Sequence, residues 1–428
     1  MLIMASYLFF PVASLIISVS ASPYIQRLSG QCWHEFPLSR VTLETSKDGS
    51  SEVAKMIESP SALRANVPPP QQSPKRDYGQ WSYAPVCTEV LESVGSQLCV
   101  YTNTSFSNGR GISIFTTPKI ADEFAALPAF QDPSGLEDIN TFSGAWYTSE
   151  IPGKGVGMLA KKQLKFKDRV TAYTPALMAY LEHELSTMQR EKYFRIAVSQ
   201  LPEPTREAYL QLATVYGQPQ VRVQDIVKAN TFQLEVGGQN HLAVFPETSR
   251  LNHACSPNAQ YYLDSALLTH FVHATRPIAA GEEILISYTS PIELTDARQE
   301  HLNGGFHFTC TCPRCTKKEA TDATIREMQA MQASLNDWSA SSPATPKLAE
   351  KLVQIYRKEG LEGFLDIPYG FAALSYNAVG DFQKATKYAA LARETILLKD
   401  GPWTQNLQMW NELLKDPQKH WSYKRRQS

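Results

Sequence analysis

Apolar and polar positions alternate in short runs through the middle of the chain and in three- and four-residue rhythms toward its end. Leu98-Cys99-Val100-Tyr101-Thr102 and Gly111-Ile112-Ser113-Ile114-Phe115-Thr116 are β-rich, and the turn pair Asn108-Gly109 lies between them. This predicts a hairpin with a long loop. A short helix is expected to begin at Thr117-Pro118. Ala145-Trp146-Tyr147-Thr148 and Val156-Gly157-Met158-Leu159-Ala160 predict strands on either side of a glycine turn. Residues 175–229 read as a helical insert, because Leu177, Leu181, Leu185 and Met188 fall at three- or four-residue spacing. Pro202 and Pro204 mark a break in it. Strand-like runs return around 242–245, 267–272 and 283–288. From Lys317 onward the rhythm is helical: 320–335, 346–357, and a pair at 370–379 and 381–398 with Gly380 at the turn. In that pair Ala385 and Ala389 are small residues suited to close helix approach, as in a tetratricopeptide-type unit, although no clean 34-residue repeat is present.

Composition changes the picture in two ways. At 428 residues with 43% hydrophobic and 19% charged positions, the chain is globular and long enough for two or three units. Its net charge of −1 provides no global basic field, so no direct nucleic-acid binding is expected. The basic tail Lys424-Arg425-Arg426 is read as a solvated end.

The first 22 residues carry no charge and contain an apolar run followed by Val19-Ser20-Ala21. A signal peptide over 1–21 is the favoured reading. An uncleaved membrane anchor, a misplaced start and a buried strand are the alternatives, and membrane contact is expected only if this segment stays uncleaved. Residues 22–79 are poor in periodicity, and the proline-rich stretch within 60–78 reads as an exposed linker. Asn103-Thr104-Ser105 is an N-glycosylation triplet that fits a secreted chain.

Seven cysteines exclude a complete disulfide framework within one chain. Cys310, Cys312 and Cys315 are too close together for ordinary bridges to one another but suit three corners of a tetrahedral zinc site. Cys87 and Cys99 are read either as a disulfide or as two buried thiols.

Four motifs occur in order: Pro152-Gly153-Lys154-Gly155-Val156-Gly157, then Arg250-Leu251-Asn252-His253-Ala254-Cys255-Ser256-Pro257-Asn258, then Gly281-Glu282-Glu283-Ile284-Leu285-Ile286-Ser287-Tyr288, then Cys310-Thr311-Cys312-Pro313-Arg314-Cys315. The glycine turn lets backbone approach a ligand closely. It lacks both the third glycine of a dinucleotide site and the Gly-Lys-Ser/Thr of a phosphate loop. Together the motifs resemble the SET-domain lysine methyltransferases, and the cysteine tail is most similar to the SMYD group; the resemblance covers residues 144–316.

The resemblance implies an α+β fold: a SET-type β-fold over 144–289 with the helical insert, a post-SET zinc segment over 290–316, and a helical C-terminal domain over 317–428. The region 80–143 holds the hairpin. The implied activity is methyl transfer from S-adenosylmethionine to a protein lysine, with histone as the default substrate by analogy. Lys154, Gly155, Val156, Gly157, Asn230, Asn252, His253, Tyr288 and Phe308 would bind the cofactor. Tyr288 would be the catalytic residue. Cys255 would complete a structural zinc site with Cys310, Cys312 and Cys315. The insert contains no cysteine, so the MYND finger of the group has no counterpart there. Phe306 stands in the lysine channel where the group often has tyrosine, which points to a higher methylation state or a changed substrate. Glu282 and Glu283 read as solvated or structural. A non-histone protein, a small-molecule amine or a catalytically silent scaffold are the alternatives. The compartment is left open: the first segment suggests the secretory pathway, the SET and zinc features the nucleus or cytoplasm.

Overall fold

The computed structural model describes residues 78–339 and 341–426. The signal-type segment and nearly all of the proline-rich stretch lie outside the described residues. No helix of the described residues is long and apolar enough to cross a membrane.

The predicted hairpin is present. β2 (Ser96–Asn103) pairs antiparallel with β3 (Ile112–Thr116), and β1 (Val86–Leu91) adds to the outer side of β2. β1 escaped the sequence reading because it is an edge strand with a bulge, mostly exposed and without clean alternation. Cys87 on β1 faces Cys99 on β2, and the two form a disulfide, which decides between the two readings of these cysteines. In the loop, Asn108 and Gly109 take positive φ, 58° and 85°, the region that favours these residue types. Helix α1 (Pro118–Ala125) starts where the sequence indicates: the Thr117 side chain accepts from the Ile120 N–H, and Pro118 needs no amide partner there.

β4 (Trp146–Ile151) and β5 (Gly155–Ala160) form a two-stranded hairpin around the glycine turn. β6 (Arg169–Tyr173) follows. The expected helix at 175–186 is instead β7 (Leu177–Tyr180), a central strand between β3 and a later strand. Leu177, Met178 and Ala179 are covered on both faces, so the strand is a continuous apolar run with no period of two. The apparent helical spacing is fortuitous, and Met188, counted on that face, is exposed.

The insert's helices begin later: α2 (Thr187–Ser199), α3 (Glu203–Leu210) and α4 (Arg222–Asn230). Ser186 and Gln189 close α2 with a capping box. A buried ion pair, Arg190 with Glu182, ties α2 to the chain leaving β7.

β8 (Thr231–Val236), β9 (Gln239–Val244), β10 (Asn252–His253), β11 (Ala259–Asp264), β12 (Thr269–Ala274) and β13 (Leu285–Ile286) complete the strands. Among the described residues the sheets run β1-β2-β3-β7-β9-β8, β11-β12-β6, β4-β5 and β10-β13, the last pair parallel. The expected strand at 283–288 is regular only over two residues, because its neighbours bond partly to β5 and partly to side chains.

α5 (Thr295–Phe306) leads to the cysteine segment. The helical C-terminal domain then holds α6 (Lys318–Asn336), α7 (Pro346–Lys358), α8 (Asp366–Ala378), α9 (Phe382–Asp400) and α10 (Asn406–Lys415). α8 and α9 are the predicted pair: Gly380 turns at φ 84°, and Ala385 and Ala389 are fully buried in the domain's core.

The Arg190–Glu182 pair gives a direct test of the insert's anchorage. Removing one partner strands a buried charge, so Arg190→Ala should destabilise the fold by ~3–5 kcal/mol, read as a lower urea midpoint. An unchanged midpoint would contradict this.

Candidate cofactor and zinc sites

The glycine turn packs against the second motif through one carboxylate. Glu283 pairs with Lys154 Nζ at 2.7 Å through Oε2 and accepts from Asn252 Nδ2 at 2.9 Å through Oε1. Gly157 sits directly beneath: a Cβ there would lie 2.9 Å from both Asn252 Nδ2 and Glu283 Oε1, and 2.6 Å from Ile151 Cγ1. Only glycine permits this approach, which is a stronger requirement than the turn itself suggested. Glu283 fits the structural reading given to it from sequence. Asn258 brackets Ile284 from one side of the chain, donating to Glu283 O at 2.8 Å and accepting from Leu285 N at 2.8 Å. The closing Asn of the motif therefore fixes β13 beside β10. The motif displayed it, but sequence reasoning gave it no role.

His253 and Tyr288 are brought together by the same pairing. Tyr288 N donates to His253 Nδ1 at 3.0 Å, leaving Nε2 to face Cys255 Sγ at 3.3 Å. Burial pushes the His253 imidazole down to about 3, so it is neutral. The Tyr288 hydroxyl donates to Leu251 O at 2.6 Å. Burial, with Glu283 adding to it, raises the phenol well above its usual range, so the hydroxyl keeps its proton. With that proton committed to Leu251 O, the free lone pairs of the oxygen make it an acceptor.

Phe306 packs on Tyr288 at 4.8 Å between ring centroids, and Phe308 lies 6.0 Å from His253 and 6.4 Å from Tyr288. Phe232 and Tyr261, 5.3 Å apart, pack with Tyr288 on the same apolar cluster. Sequence reasoning missed both, although Phe232 stands two residues after Asn230. The Asn230 side-chain amide donates to Ala213 O and Ile226 O, each at 2.8 Å, which uses both donor hydrogens inside the insert.

The four cysteines named from sequence converge. Their Sγ atoms lie within 4.8 Å of one another, with Cys255 and Cys315 at 3.6 Å. Zinc–sulfur bonds of about 2.3 Å at tetrahedral angles place sulfurs about 3.8 Å apart, so the donor set fits a zinc ion. Four thiolates around a divalent ion carry net negative charge. Arg298, fully buried, places Nη2 3.8 Å from Cys315 Sγ, and Arg314 lies between two of the ligands. Burial works to lower the Arg298 guanidinium, but the neighbouring thiols hold it above its usual value.

Comparison with known proteins agrees with this geometry. A family model for the SET domain matches residues 155–289. The chain is 27% identical over 277 residues to "Histone-lysine N-methyltransferase set5" of Schizosaccharomyces pombe, covering 63% of this chain and 83% of that one. It is 34% identical over 101 residues to "N-lysine methyltransferase SMYD2" of Homo sapiens, 23% of either chain. A SET and MYND domain-containing protein of Dictyostelium discoideum is 30% identical over 140 residues, 33% of this chain and 32% of its own. The match thus spans most of the set5 relative but a quarter to a third of the others. The chain carries a SET domain. It is similar to the SMYD-like lysine methyltransferases.

Two outcomes follow from the geometry. Gly157→Ala should weaken S-adenosylmethionine binding at least tenfold, because the added methyl strikes the Ile151, Asn252 and Glu283 side chains and displaces Asn252 (~1.4 kcal/mol per tenfold). Calorimetric titration checks it, and unchanged affinity would contradict it. Metal analysis should find one zinc per chain, lost in Cys310→Ala with a lower thermal midpoint.

Proposed function

We propose that this chain is an S-adenosylmethionine-dependent protein-lysine N-methyltransferase of the SET type. The observation that carries the reading is the Tyr288 hydroxyl, pinned to Leu251 O beside Asn252-His253 and packed on Phe306. Histone lysines are the first substrates to test, because the Schizosaccharomyces pombe relative is named for that activity.

S-adenosylmethionine supplies an electrophilic methyl group on a sulfonium sulfur. The chain's own residues do the rest. Gly157 and Asn252 form the close-packed floor on which the methionine half would rest, and Phe308 offers a face for the adenine. His253, held neutral, presents no competing charge to the sulfonium. Tyr288, Phe306, Phe232 and Tyr261 make an apolar surround that disfavours a lysine ammonium and lowers its pKa. Once neutral, the amine has a lone pair, and the Tyr288 oxygen can accept an N–H from it or a weak C–H bond from the methyl group. Positioning and exclusion of water supply most of the rate. Phe306 cannot donate a hydrogen bond to the amine, which leaves room for a more heavily methylated product.

The full chain, loaded with zinc and incubated with labelled S-adenosylmethionine and histones or cell extract, should label a protein band. Tyr288→Phe should reduce labelling by ~100-fold while cofactor binding persists. Labelling that survives in the variant would overturn the role of Tyr288, and no labelling of any protein would overturn the enzyme reading.

The pH dependence has a definite sign. Free lysine titrates near ~10.4, and only the deprotonated amine attacks. The Tyr288 phenol stays protonated because its pKa is raised. kcat/KM should therefore climb about tenfold per pH unit between roughly pH 7 and pH 8.5. A flat profile there would contradict rate dependence on the free amine.

A further inference from the structure

Arg314 stands between the last two cysteines, and methyl transfer makes no use of it. Its side chain is only 5% exposed. Nη1 donates to Cys255 O and to Pro291 O, both at 2.7 Å, and Nε donates to Glu359 Oε2 at 3.2 Å. Three separate pieces of chain therefore meet at one buried cation: the segment following Asn252-His253, the stretch leading into α5, and the C-terminal end of α7. The first and third of these are also tied directly to each other. Ser256 Oγ donates to Glu359 O at 3.1 Å. Gly360, at φ 68°, brings the turn after α7 so close that a Cβ would lie 3.1 Å from Ser256 Cβ. Nη2 has no partner among the described residues, so this buried guanidinium is held by its Nη1 and Nε bonds and by the Glu359 charge alone, and it is poised to shift if those partners move.

We propose that Arg314 is a positioning residue that couples the filled cysteine site to the docking of the C-terminal helical domain. The inference rests on the four cysteines holding a zinc ion. With the metal bound, Cys312 and Cys315 are fixed and Arg314 is held between them. Without it, the short turn Pro313–Thr316 loses its two sulfur anchors and is left with local bonds, such as Cys315 N to Cys312 O at 2.9 Å, and the bonds of Arg314 itself. The guanidinium is then free to shift, and Glu359 and Cys255 O lose their common partner. The rest of the domain interface does not pass through this cation. Lys167 pairs with Glu394 on α9, and Tyr262 packs on Trp403 at 6.2 Å. The coupling is therefore local to α7 and the turn after it, and α9 serves as an internal control.

Hydrogen exchange read by mass spectrometry on the full chain tests this, with zinc content measured in parallel. The samples are zinc-loaded wild type, chelator-stripped wild type, and zinc-loaded Arg314→Lys and Glu359→Gln. Stripping should speed exchange in residues 251–260 and 346–364 by roughly tenfold or more, leaving 382–400 unchanged. Both variants should keep their zinc yet show the faster exchange in 346–364. If Arg314→Lys loses zinc, Glu359→Gln decides alone. The proposal is overturned if stripping leaves 346–364 fully protected, if the zinc-loaded Glu359→Gln variant keeps wild-type protection, or if stripping exposes 382–400 equally. Methyl transfer is not part of the readout, so failure of the enzyme reading would leave this result interpretable.

Discussion

The side-by-side parallel pairing of Asn252–His253 with Leu285–Ile286 is the constraint on which the site depends. Two-residue strands have too few ladder bonds to hold themselves together, and side chains supply what is missing. Asn258 bonds across to the 283–285 backbone, Glu283 reaches Asn252 and Lys154, and the Tyr288 N–H is taken by His253. Apart from the exposed Lys154, these groups are polar and largely covered, so each would be costly if left alone. The network stands or falls as a unit, and it delivers Tyr288, Asn252 and Gly157 to one place from three distant parts of the chain.

The cysteine cluster extends the same constraint. Cys255 follows the paired segment by two residues, and Cys310, Cys312 and Cys315 close over it from beyond α5. Phe306 and Phe308 lie just before that cluster and pack against it, so fixing the cysteines fixes these two rings. This explains how residues on an irregular stretch of backbone hold a defined position. A disulfide at Cys87–Cys99 and a four-thiol cluster thus occur in one molecule, the first stapling an edge strand and the second gathering Phe306 and Phe308 beside Tyr288.

Much of this was legible in the sequence because the chemistry is local. Asn252, His253, Cys255 and Tyr288 sit in short motifs whose spacing survives folding, and the three clustered cysteines announce a metal site by proximity alone. The helix pair about Gly380 was legible for a similar reason, since a positive-φ turn and small packing residues leave a clear mark. What was misread depends on neighbours distant in sequence. β7 looked helical because a strand covered on both faces shows no alternation. β1 was silent because an edge strand needs little burial. Glu283, Asn258, Phe232 and Tyr261 reveal their parts only when the motifs are folded onto one another.

The most direct test of this account is calorimetric titration of the zinc-loaded full chain with S-adenosylmethionine, beside an Asn252→Ala variant. The account predicts one site per chain in the wild type and a loss of affinity in the variant, because Asn252 lies against Gly157 and is a partner of Glu283. Absence of binding by the folded, zinc-loaded wild type would contradict it, as would equal affinity in the two proteins.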